Sequence, residues 1–116
     1  MDITQLFSLK GRTALITGGS RGIGRMIAEG YLAAGARVYI SARKAAACDQ
    51  TAKELSALGH CVSLPADVST MEGIRGLVDA YAKHEDSLDI LVNNAGAAWG
   101  APYEEFPEAG WDKVTD

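Results

Sequence analysis

The sequence has few cysteines and shows no grouping of residues that suits a metal ion. Cys48 and Cys61 are the two cysteines among 116 residues, and they form no C-x-x-C pair. Two cysteines cannot supply the disulfide framework on which small secreted domains depend. We therefore expect both thiols to be reduced and buried, and we expect no metal site.

Positive charge is also scarce, and no long hydrophobic run is present. Lys and Arg number 11 against 15 Asp and Glu, which gives a formal net charge of -4. This balance leaves no basic surface for nucleic acid and no polybasic patch for a membrane. The N-terminus lacks a signal-peptide pattern, and no later segment approaches the length of a membrane span. We expect a cytoplasmic protein that binds a small molecule.

What is present is the pattern of an ordinary globular domain, with 47% apolar and 22% charged residues. Short, continuously apolar runs alternate with longer segments of helical periodicity. The predicted strands span residues 12–17, 37–41, 61–64 and 88–93. The predicted helices span residues 22–34 and 45–58, and a third opens at a capping box formed by Ser69 and Glu72. This alternation predicts an α/β fold, a doubly wound parallel sheet of Rossmann type with about four strands.

The same patterns predict which helix faces are buried. Helical spacing places the buried stripe of the first helix at Ile23, Ile27, Tyr31 and Ala34. On the third helix the apolar stripe consists of Ile74, Leu77, Val78 and Tyr81. The charged residues 83–85 that follow are expected to form a solvated helix end.

Glycines at 18, 22 and 24 follow the first predicted strand, in the run Thr-Gly-Gly-Ser-Arg-Gly-Ile-Gly of residues 17–24. Glycines at a strand-to-helix turn let the backbone approach a phosphate, and the N–H groups of the helix N-terminus point at it. The spacing is not that of a P-loop, since Arg25 and Met26 stand in place of the required Lys and Ser or Thr. The run predicts a phosphate-binding turn for a dinucleotide; a tight turn without a ligand uses the same residues.

The residues after the second predicted strand bear on which dinucleotide is bound. Proteins that bind NAD carry an acidic residue about 20 positions past the glycine turn, where it binds the ribose hydroxyls. Here these positions hold Ser41-Ala42-Arg43-Lys44, and another basic residue, Arg21, stands inside the glycine turn. Guanidinium groups suit a 2′-phosphate, so Arg21 and Arg43 favour NADP over NAD. The alternative is that both arginines are solvated surface charges.

The ends of the third and fourth predicted strands also carry polar residues. Asp67 has two interpretations: it accepts a hydrogen bond from an adenine amino group beside the Val68 backbone, or it orders the turn. The fourth strand ends in Asn93-Asn94-Ala95-Gly96, and a buried amide is costly unless it is hydrogen-bonded. One asparagine is expected to tie backbone segments together, while the other lines the cofactor groove with the Ala and Gly. A pure turn is the alternative.

Together, the glycine run 17–24, Asp67 and residues 93–96 at these spacings resemble the short-chain dehydrogenase/reductase family. The resemblance covers the chain from about Phe7 to its last residue. The segments Phe7-Ser-Leu-Lys-Gly-Arg12 and Trp111-Asp-Lys-Val114 look most like NADPH-dependent 3-oxoacyl-[acyl-carrier-protein] reductases related to fatty-acid synthesis. The resemblance implies an oxidoreductase that interconverts a carbonyl and an alcohol with NADP(H), and a 3-oxoacyl thioester as the substrate.

The resemblance also implies a role for each residue of the site. The residues expected on the pyrophosphate side are Gly18, Ser20, Arg21, Gly22, Ile23 and Gly24. Arg43 is expected to bind the 2′-phosphate. The residues expected at the adenine are Asp67 and Val68, and those expected at the ribose nearer the nicotinamide are Asn94, Ala95 and Gly96. Asn93 is expected to be structural.

The Ser, Tyr and Lys with which the family performs catalysis cannot be placed in this chain. The residues that stand four positions after its tyrosines are Gly35, Arg43, Glu85 and Pro107, and none is a lysine. We expect the catalytic residues beyond Asp116, and residues 1–116 to be a single dinucleotide-binding domain cut before its catalytic half. Because such a piece would expose a flat apolar strand edge, we expect it to be poorly soluble and inactive when alone.

Three hypotheses follow for the function. The favoured one is an NADPH-dependent reductase, a homotetramer when whole by the same resemblance. The second is a module that binds NADP(H) without chemistry, which applies if the chain is complete. The third is a Rossmann-like methyltransferase, which would need an acid at the end of the second strand, where residues 41–44 offer none.

Overall fold

The structure, a computed structural model, describes residues 8–94. Strands and helices alternate along this part of the chain. In order, they are β1 (Thr13–Thr17), α1 (Gly22–Ala33), β2 (Arg37–Ser41), α2 (Ala45–Leu55), β3 (Cys61–Ser63), α3 (Met71–Ala82) and β4 (Ile90–Asn93). The predicted order of elements is confirmed, and where their ends differ from the prediction the difference is one to three residues. Helix α2 ends at Leu55, before the predicted 58, and β4 begins at Ile90, after the predicted 88.

The four strands form one parallel sheet in the order β3-β2-β1-β4. Leu15 of β1 lies opposite Tyr39 of β2 on one side and Leu91 of β4 on the other. The chain runs outward from β1 to β3 and then returns to place β4 on the free side of β1. The direction of winding therefore reverses between β1 and β4, and ligands bind at such a switch point in open α/β sheets.

The two faces of the sheet carry two separate hydrophobic cores, because successive strand residues point to opposite faces. One core packs Ile16, Val38 and Ile40 against α1 and α2. The other packs Leu15 and Tyr39 against α3. The predicted α/β doubly wound architecture is thus confirmed.

Both cysteines lie in the first core as free thiols, as predicted. Cys48 donates from its thiol to the carbonyl of Ile40 at 3.5 Å. Burial raises the pKa of Cys61 to about 11, so this thiol stays protonated at neutral pH.

The buried face of α1 differs from the predicted stripe. Its buried residues are Gly24, Ala28 and Leu32, whereas Ile23 is 67% exposed. Ile27 and Tyr31 are partly buried and pack against the margin of the first core. Since each helical residue advances by about 100°, a shift of one position turns the helix to a neighbouring face. The absence of a side chain at Gly24 and the small side chain of Ala28 let α1 approach the sheet closely, and this packing overrides the apolar periodicity.

The start of α3 also departs from the prediction. The N-cap is Thr70, whose Oγ1 accepts a hydrogen bond from the N–H of Gly73 at 2.9 Å. Ser69 instead turns toward Asp67, so the predicted capping box is wrong by one residue. Ile74, Leu77 and Tyr81 are buried as predicted, while Val78 is 45% exposed.

Glu85, expected in a solvated helix end, is instead part of a polar cluster. Arg37 donates from Nε and Nη2 to the two carboxylate oxygens of Glu85 at 2.8 and 2.7 Å, and the hydroxyl of Tyr39 donates to the same carboxylate. Tyr39 is 1% exposed and packs edge-on against Tyr81. The hydrogen bonds from Arg37, followed in strength by that from Tyr39, lower the pKa of Glu85 to about 2. This cluster fastens the end of α3 to the amino end of β2.

Candidate functional site

The carboxyl ends of the strands meet at one edge of the sheet and border a cleft of about 680 Å³. The residues predicted to hold a cofactor that line this cleft are Gly18, Ser20, Arg21, Gly22, Arg43, Asp67, Val68 and Asn94. They come from four places in the chain and are brought together only by the sheet. Ala95 and Gly96 lie outside the described residues.

Two other predicted residues, Ile23 and Gly24, do not line the cleft. A Cβ atom at Gly24 would lie 2.1 Å from the carbonyl oxygen of Gly18 and 2.8 Å from Nδ2 of Asn94. Only a residue without a side chain lets α1 start so close to the end of β1. The side chain of Ile23 is exposed, so any contact of this residue with a bound phosphate would come from its backbone.

The glycine turn leads into a helix N-terminus that is suited to an anion. Gly18 and Gly22 have φ of 66° and 60°, the left-handed region that favours glycine. Arg21, at the N-cap of α1, has an extended backbone and makes no side-chain capping bond, and the first turn holds no acidic residue. The N–H groups of a first helical turn have no partner within the helix, and the helix dipole adds positive potential there. This end of α1 thus has the character of a phosphate site.

Basic residues surround the opening of the cleft. Arg21, Arg43 and Lys44 all line it and are exposed. Within residues 8–94, none of these three forms an ion pair with a carboxylate. The last residue of β2 is Ser41, and no acidic side chain follows it before α2. The cleft therefore offers cations where an NAD-binding site would offer an acid.

Asp67 orders the turn before α3. Its Oδ1 accepts hydrogen bonds from the hydroxyl and N–H of Ser69 at 2.5 and 3.0 Å. These two bonds are the main reason that its pKa is lowered, with a smaller contribution from the charge of Arg43. One of the two interpretations of Asp67 is thus seen directly, and a contact with adenine stays a prediction.

Both asparagines are bonded to Thr17, whereas a place for Asn94 beside a cofactor stays a prediction. Thr17 donates from its hydroxyl to Oδ1 of Asn93 at 3.0 Å and accepts a hydrogen bond from the N–H of Asn94 at 2.9 Å. These bonds tie the ends of β1 and β4 together, while Asn94 lines the cleft. Thr17 was not among the predicted site residues, although its position directly before the glycines is the available signal.

Ser41 is a second residue of the cleft that the sequence analysis missed. It is the last residue of β2, it lies opposite Thr17 in the register, and it lines the cleft. The residue is 1% exposed, yet its hydroxyl has no hydrogen-bond partner among the described residues. A buried hydroxyl without a partner is costly, so this edge of the cleft suits a ligand with a polar group. The signal in the sequence is a lone hydroxyl at the end of an apolar strand.

A family model for short chain dehydrogenases matches residues 12–116. The chain belongs to the short-chain dehydrogenase family. Short-chain dehydrogenases are oxidoreductases that bind nicotinamide cofactors, so the family assignment removes the methyltransferase hypothesis. The glycine turn and basic opening described above lie at the edge of the sheet where the dinucleotide-binding fold receives its ligand.

Relatives of the chain, and solved structures of similar proteins, agree with that assignment. The chain is 59% identical over 93% of its length to the rhamnolipids biosynthesis 3-oxoacyl-[acyl-carrier-protein] reductase of Pseudomonas aeruginosa, of which it covers 42%. It is 39% identical over 98% of its length to gluconate 5-dehydrogenase of Gluconobacter oxydans, of which it covers 45%. The chain thus spans less than half the length of these relatives.

Two solved structures illustrate the similarity in three dimensions. The Pseudomonas aeruginosa RhlG/NADP active-site complex aligns with a TM-score of 0.77 at 56% identity, over 93% of this chain and 40% of that one. L-sorbose reductase from Gluconobacter frateurii, complexed with NADPH and L-sorbose, aligns with a TM-score of 0.75 at 33% identity, over 92% and 41%.

Two further properties of the described part concern membranes and metals. None of its helices combines the length and the apolar character that crossing a bilayer requires. Between residues 8 and 94, no three His, Cys, Asp or Glu side chains are grouped so that they could hold a metal ion.

Proposed function

We propose that this short-chain dehydrogenase uses NADPH to reduce a carbonyl to an alcohol, with a 3-oxoacyl thioester as substrate. The observation that carries the cofactor choice is the pair Arg21 and Arg43 at the opening of the cleft, with no acid at the end of β2. A guanidinium binds a phosphate through charge-assisted, bidentate hydrogen bonds, and it has no comparable partner on the bare ribose of NAD.

The cofactor is proposed to lie across the edge of the sheet with its pyrophosphate at the glycine turn. Gly18, Ser20, Gly22 and the backbone of Ile23 would surround the pyrophosphate, and Gly24 would allow the close approach of α1. Arg43 would bind the 2′-phosphate, and Arg21, which stands beside the pyrophosphate, would provide a second guanidinium for the same phosphate. The residues assigned to the adenine are Asp67 and Val68, and those assigned to the ribose nearer the nicotinamide are Asn94, Ala95 and Gly96. Ser41 lines the same cleft.

When bound, NADPH supplies a hydride to the carbonyl carbon. The residues of this chain bind and orient the cofactor for that transfer. No tyrosine in the chain is followed by a lysine four residues later, so the group that gives the proton is proposed to lie outside these 116 residues. Residues 1–116 are accordingly proposed to be the cofactor-binding half of a single domain. The reaction is proposed for the whole protein.

Support for the substrate comes from the relatives. The Pseudomonas aeruginosa relative at 59% identity is named as a 3-oxoacyl-[acyl-carrier-protein] reductase. Gluconate 5-dehydrogenase, at 39% identity, is named for a sugar acid. The thioester is preferred here because the first of these two relatives is much more similar.

The test uses the whole protein. We would titrate it with NADPH and with NADH by following the nicotinamide fluorescence, and then follow the oxidation of NADPH with acetoacetyl-CoA and with 5-ketogluconate. We expect tighter binding of NADPH and turnover of the thioester. Tighter binding of NADH would contradict the cofactor proposal, and turnover of the sugar acid alone would contradict the substrate. Tight binding of NADPH with no turnover of any carbonyl compound would favour the non-catalytic module.

Two properties of the whole protein remain proposals of the same kind. We propose a homotetramer and a cytoplasmic location. Sedimentation equilibrium of the whole protein would give the number of subunits, and fractionation of cells that express it would give the location.

A further inference from the structure

Thr51 of α2 contacts the glycine turn although it lies far from it in the sequence. Its Oγ1 donates a hydrogen bond to the carbonyl of Ser20 at 2.8 Å, across a separation of 31 residues. Thr51 is 4% exposed, and its bond to Ser20 is partly buried. The residue carries none of the chemistry assigned to the cleft, and it does not line the cleft.

The direction of this bond is unusual for a threonine within a helix. A helical Ser or Thr commonly donates back to the carbonyl four residues earlier in its own helix. Ser56, at the C-cap of the same helix, does so, since its Oγ donates to the carbonyl of Ala52 at 2.7 Å. The hydroxyl of Thr51 instead leaves the helix and binds the glycine turn.

The bond from Thr51 determines how one peptide unit of the turn is rotated. The carbonyl of Ser20 and the N–H of Arg21 belong to the same planar trans peptide and point in opposite directions. Holding the carbonyl toward α2 therefore holds the N–H of Arg21 away from α2. Arg21 is the N-cap of α1, and its orientation also sets the start of the helix.

Two neighbouring contacts, one with β2 and one with α2, also hold the glycine turn and the start of α1 in place. The N–H of Gly19 donates to the carbonyl of Ser41 at 3.3 Å, which ties the turn to β2. Arg25, one turn into α1, forms an ion pair with Glu54 of α2 at 3.1 Å. Between these two contacts, Thr51 is the residue that fixes the peptide joining Ser20 to Arg21.

We propose that Thr51 is a positioning residue for recognition of the 2′-phosphate of NADP(H), acting through the Ser20–Arg21 peptide. The inference rests on the proposed function, because it assumes that Arg21 binds that phosphate. Loss of the hydroxyl frees the peptide to rotate and leaves the Ser20 carbonyl without its partner. The contact between Arg21 and the 2′-phosphate is then weakened more than the other contacts with the cofactor.

The experiment compares Thr51→Val, which keeps the shape and removes the hydroxyl, with Thr51→Ser, which keeps the hydroxyl. Dissociation constants for NADPH and for NADH are measured on the whole protein by fluorescence titration. We expect Thr51→Val to weaken NADPH binding about three- to tenfold, the equivalent of one net hydrogen bond. We expect NADH binding to change within about twofold, and Thr51→Ser to bind NADPH as the wild type does.

Ser56→Ala is the matched control, because it removes a hydroxyl bond from the same helix without touching the turn. We expect it to bind both cofactors as the wild type does. Should Thr51→Val fail to fold, Thr51→Ala set against Thr51→Ser gives the same comparison.

The proposal is overturned if loss of the hydroxyl leaves NADPH binding unchanged, or weakens NADPH and NADH equally. It is also overturned if Ser56→Ala weakens NADPH binding as much. A wild type that prefers NADH would instead contradict the proposed function, which keeps the two failures distinct.

Discussion

The two edges of the sheet use the same kinds of side chain in opposite ways. At the amino edge, Arg37 is paired with Glu85 through two hydrogen bonds, and Arg12 lies 3.7 Å from Asp89. At the carboxyl edge, Arg21 and Arg43 have no ion-pair partner in the described part of the chain. Paired charges hold elements of the fold together, whereas cations facing a cleft are available to a ligand. We propose on this basis that the amino edge serves stability and the carboxyl edge serves binding.

The comparison can be tested first at Gly24, where α1 packs closely against the end of β1. Gly24→Ala places a Cβ atom 2.1 Å from a backbone oxygen, which forces the chain to shift. We expect the free energy of unfolding to fall by about 3 kcal/mol, the upper end for overpacking, and cofactor binding to be lost. Urea denaturation and fluorescence titration measure the two effects.

Gly30→Ala is the control, since this glycine is in the same helix and a Cβ atom there meets nothing within 4 Å. We expect it to stabilise the protein by up to about 1 kcal/mol, because Ala is the better helix former. Equal effects of the two substitutions would show that Gly24 has no special packing role.

The second test is at the amino edge. Glu85→Ala removes the acceptor of both Arg37 and the buried hydroxyl of Tyr39. We expect the free energy of unfolding to fall by about 2 kcal/mol and the affinity for NADPH to stay unchanged. Asp86→Asn, at the exposed neighbouring carboxylate, is the control and is expected to change stability by about 0.5 kcal/mol or less. A large loss of cofactor affinity in Glu85→Ala would contradict the assignment of stability to the amino edge and of binding to the carboxyl edge.

The carboxylate of Glu85 also makes the stability of the folded protein depend on pH. The pKa of Glu85 falls from its ordinary value of 4.5 to about 2 in the folded protein, chiefly because of the hydrogen bonds from Arg37. A lowered pKa stabilises the folded state above the unfolded value, and this stabilisation is lost as the pH falls from 4.5 toward 2. We therefore expect wild type to lose stability over this interval more steeply than Glu85→Gln. Urea denaturation at a series of pH values gives the slope of the free energy of unfolding against pH for each protein. Equal slopes for the wild type and Glu85→Gln would contradict the pairing of Glu85 with Arg37.

The third test addresses the unpaired cations. Arg43→Ser is expected to weaken NADPH binding about tenfold and to leave NADH binding unchanged, because only NADPH carries the 2′-phosphate. Arg75→Ser, at an exposed arginine of α3, is the control for the loss of one positive charge. If both substitutions weaken NADPH binding alike, the effect is one of net charge and the cleft has no specific 2′-phosphate site.

The smallest expected effect concerns Ser41. Since its buried hydroxyl has no partner among residues 8–94, Ser41→Ala is expected to leave the free protein as stable or more stable by up to about 1 kcal/mol. The affinity for NADPH is expected to fall about threefold if the hydroxyl faces the cofactor. Ser63→Ala, where the hydroxyl donates to Asp49 at 2.6 Å, should instead lower stability alone. A less stable Ser41→Ala with unchanged affinity would contradict a ligand role.

Much of this protein follows from local patterns in its sequence. Apolar runs and helical periodicity determine the order of the elements, and the glycines at 18, 22 and 24 mark the turn at the switch point. These features depend on neighbouring residues, so a short window contains the information. The same holds for the missing acid after β2, because the end of that strand can be located from its own residues.

Other features were decided only by the tertiary structure. The face that α1 buries depends on how closely Gly24 and Ala28 let the helix approach the sheet. Glu85 meets Arg37 across 48 residues, and Thr51 meets the glycine turn across 31. No local pattern contains both members of such a pair, because folding alone brings them within hydrogen-bonding distance. The sequence by itself thus determined the framework and the place of the glycine turn, and the packing determined which side chains hold that turn in shape.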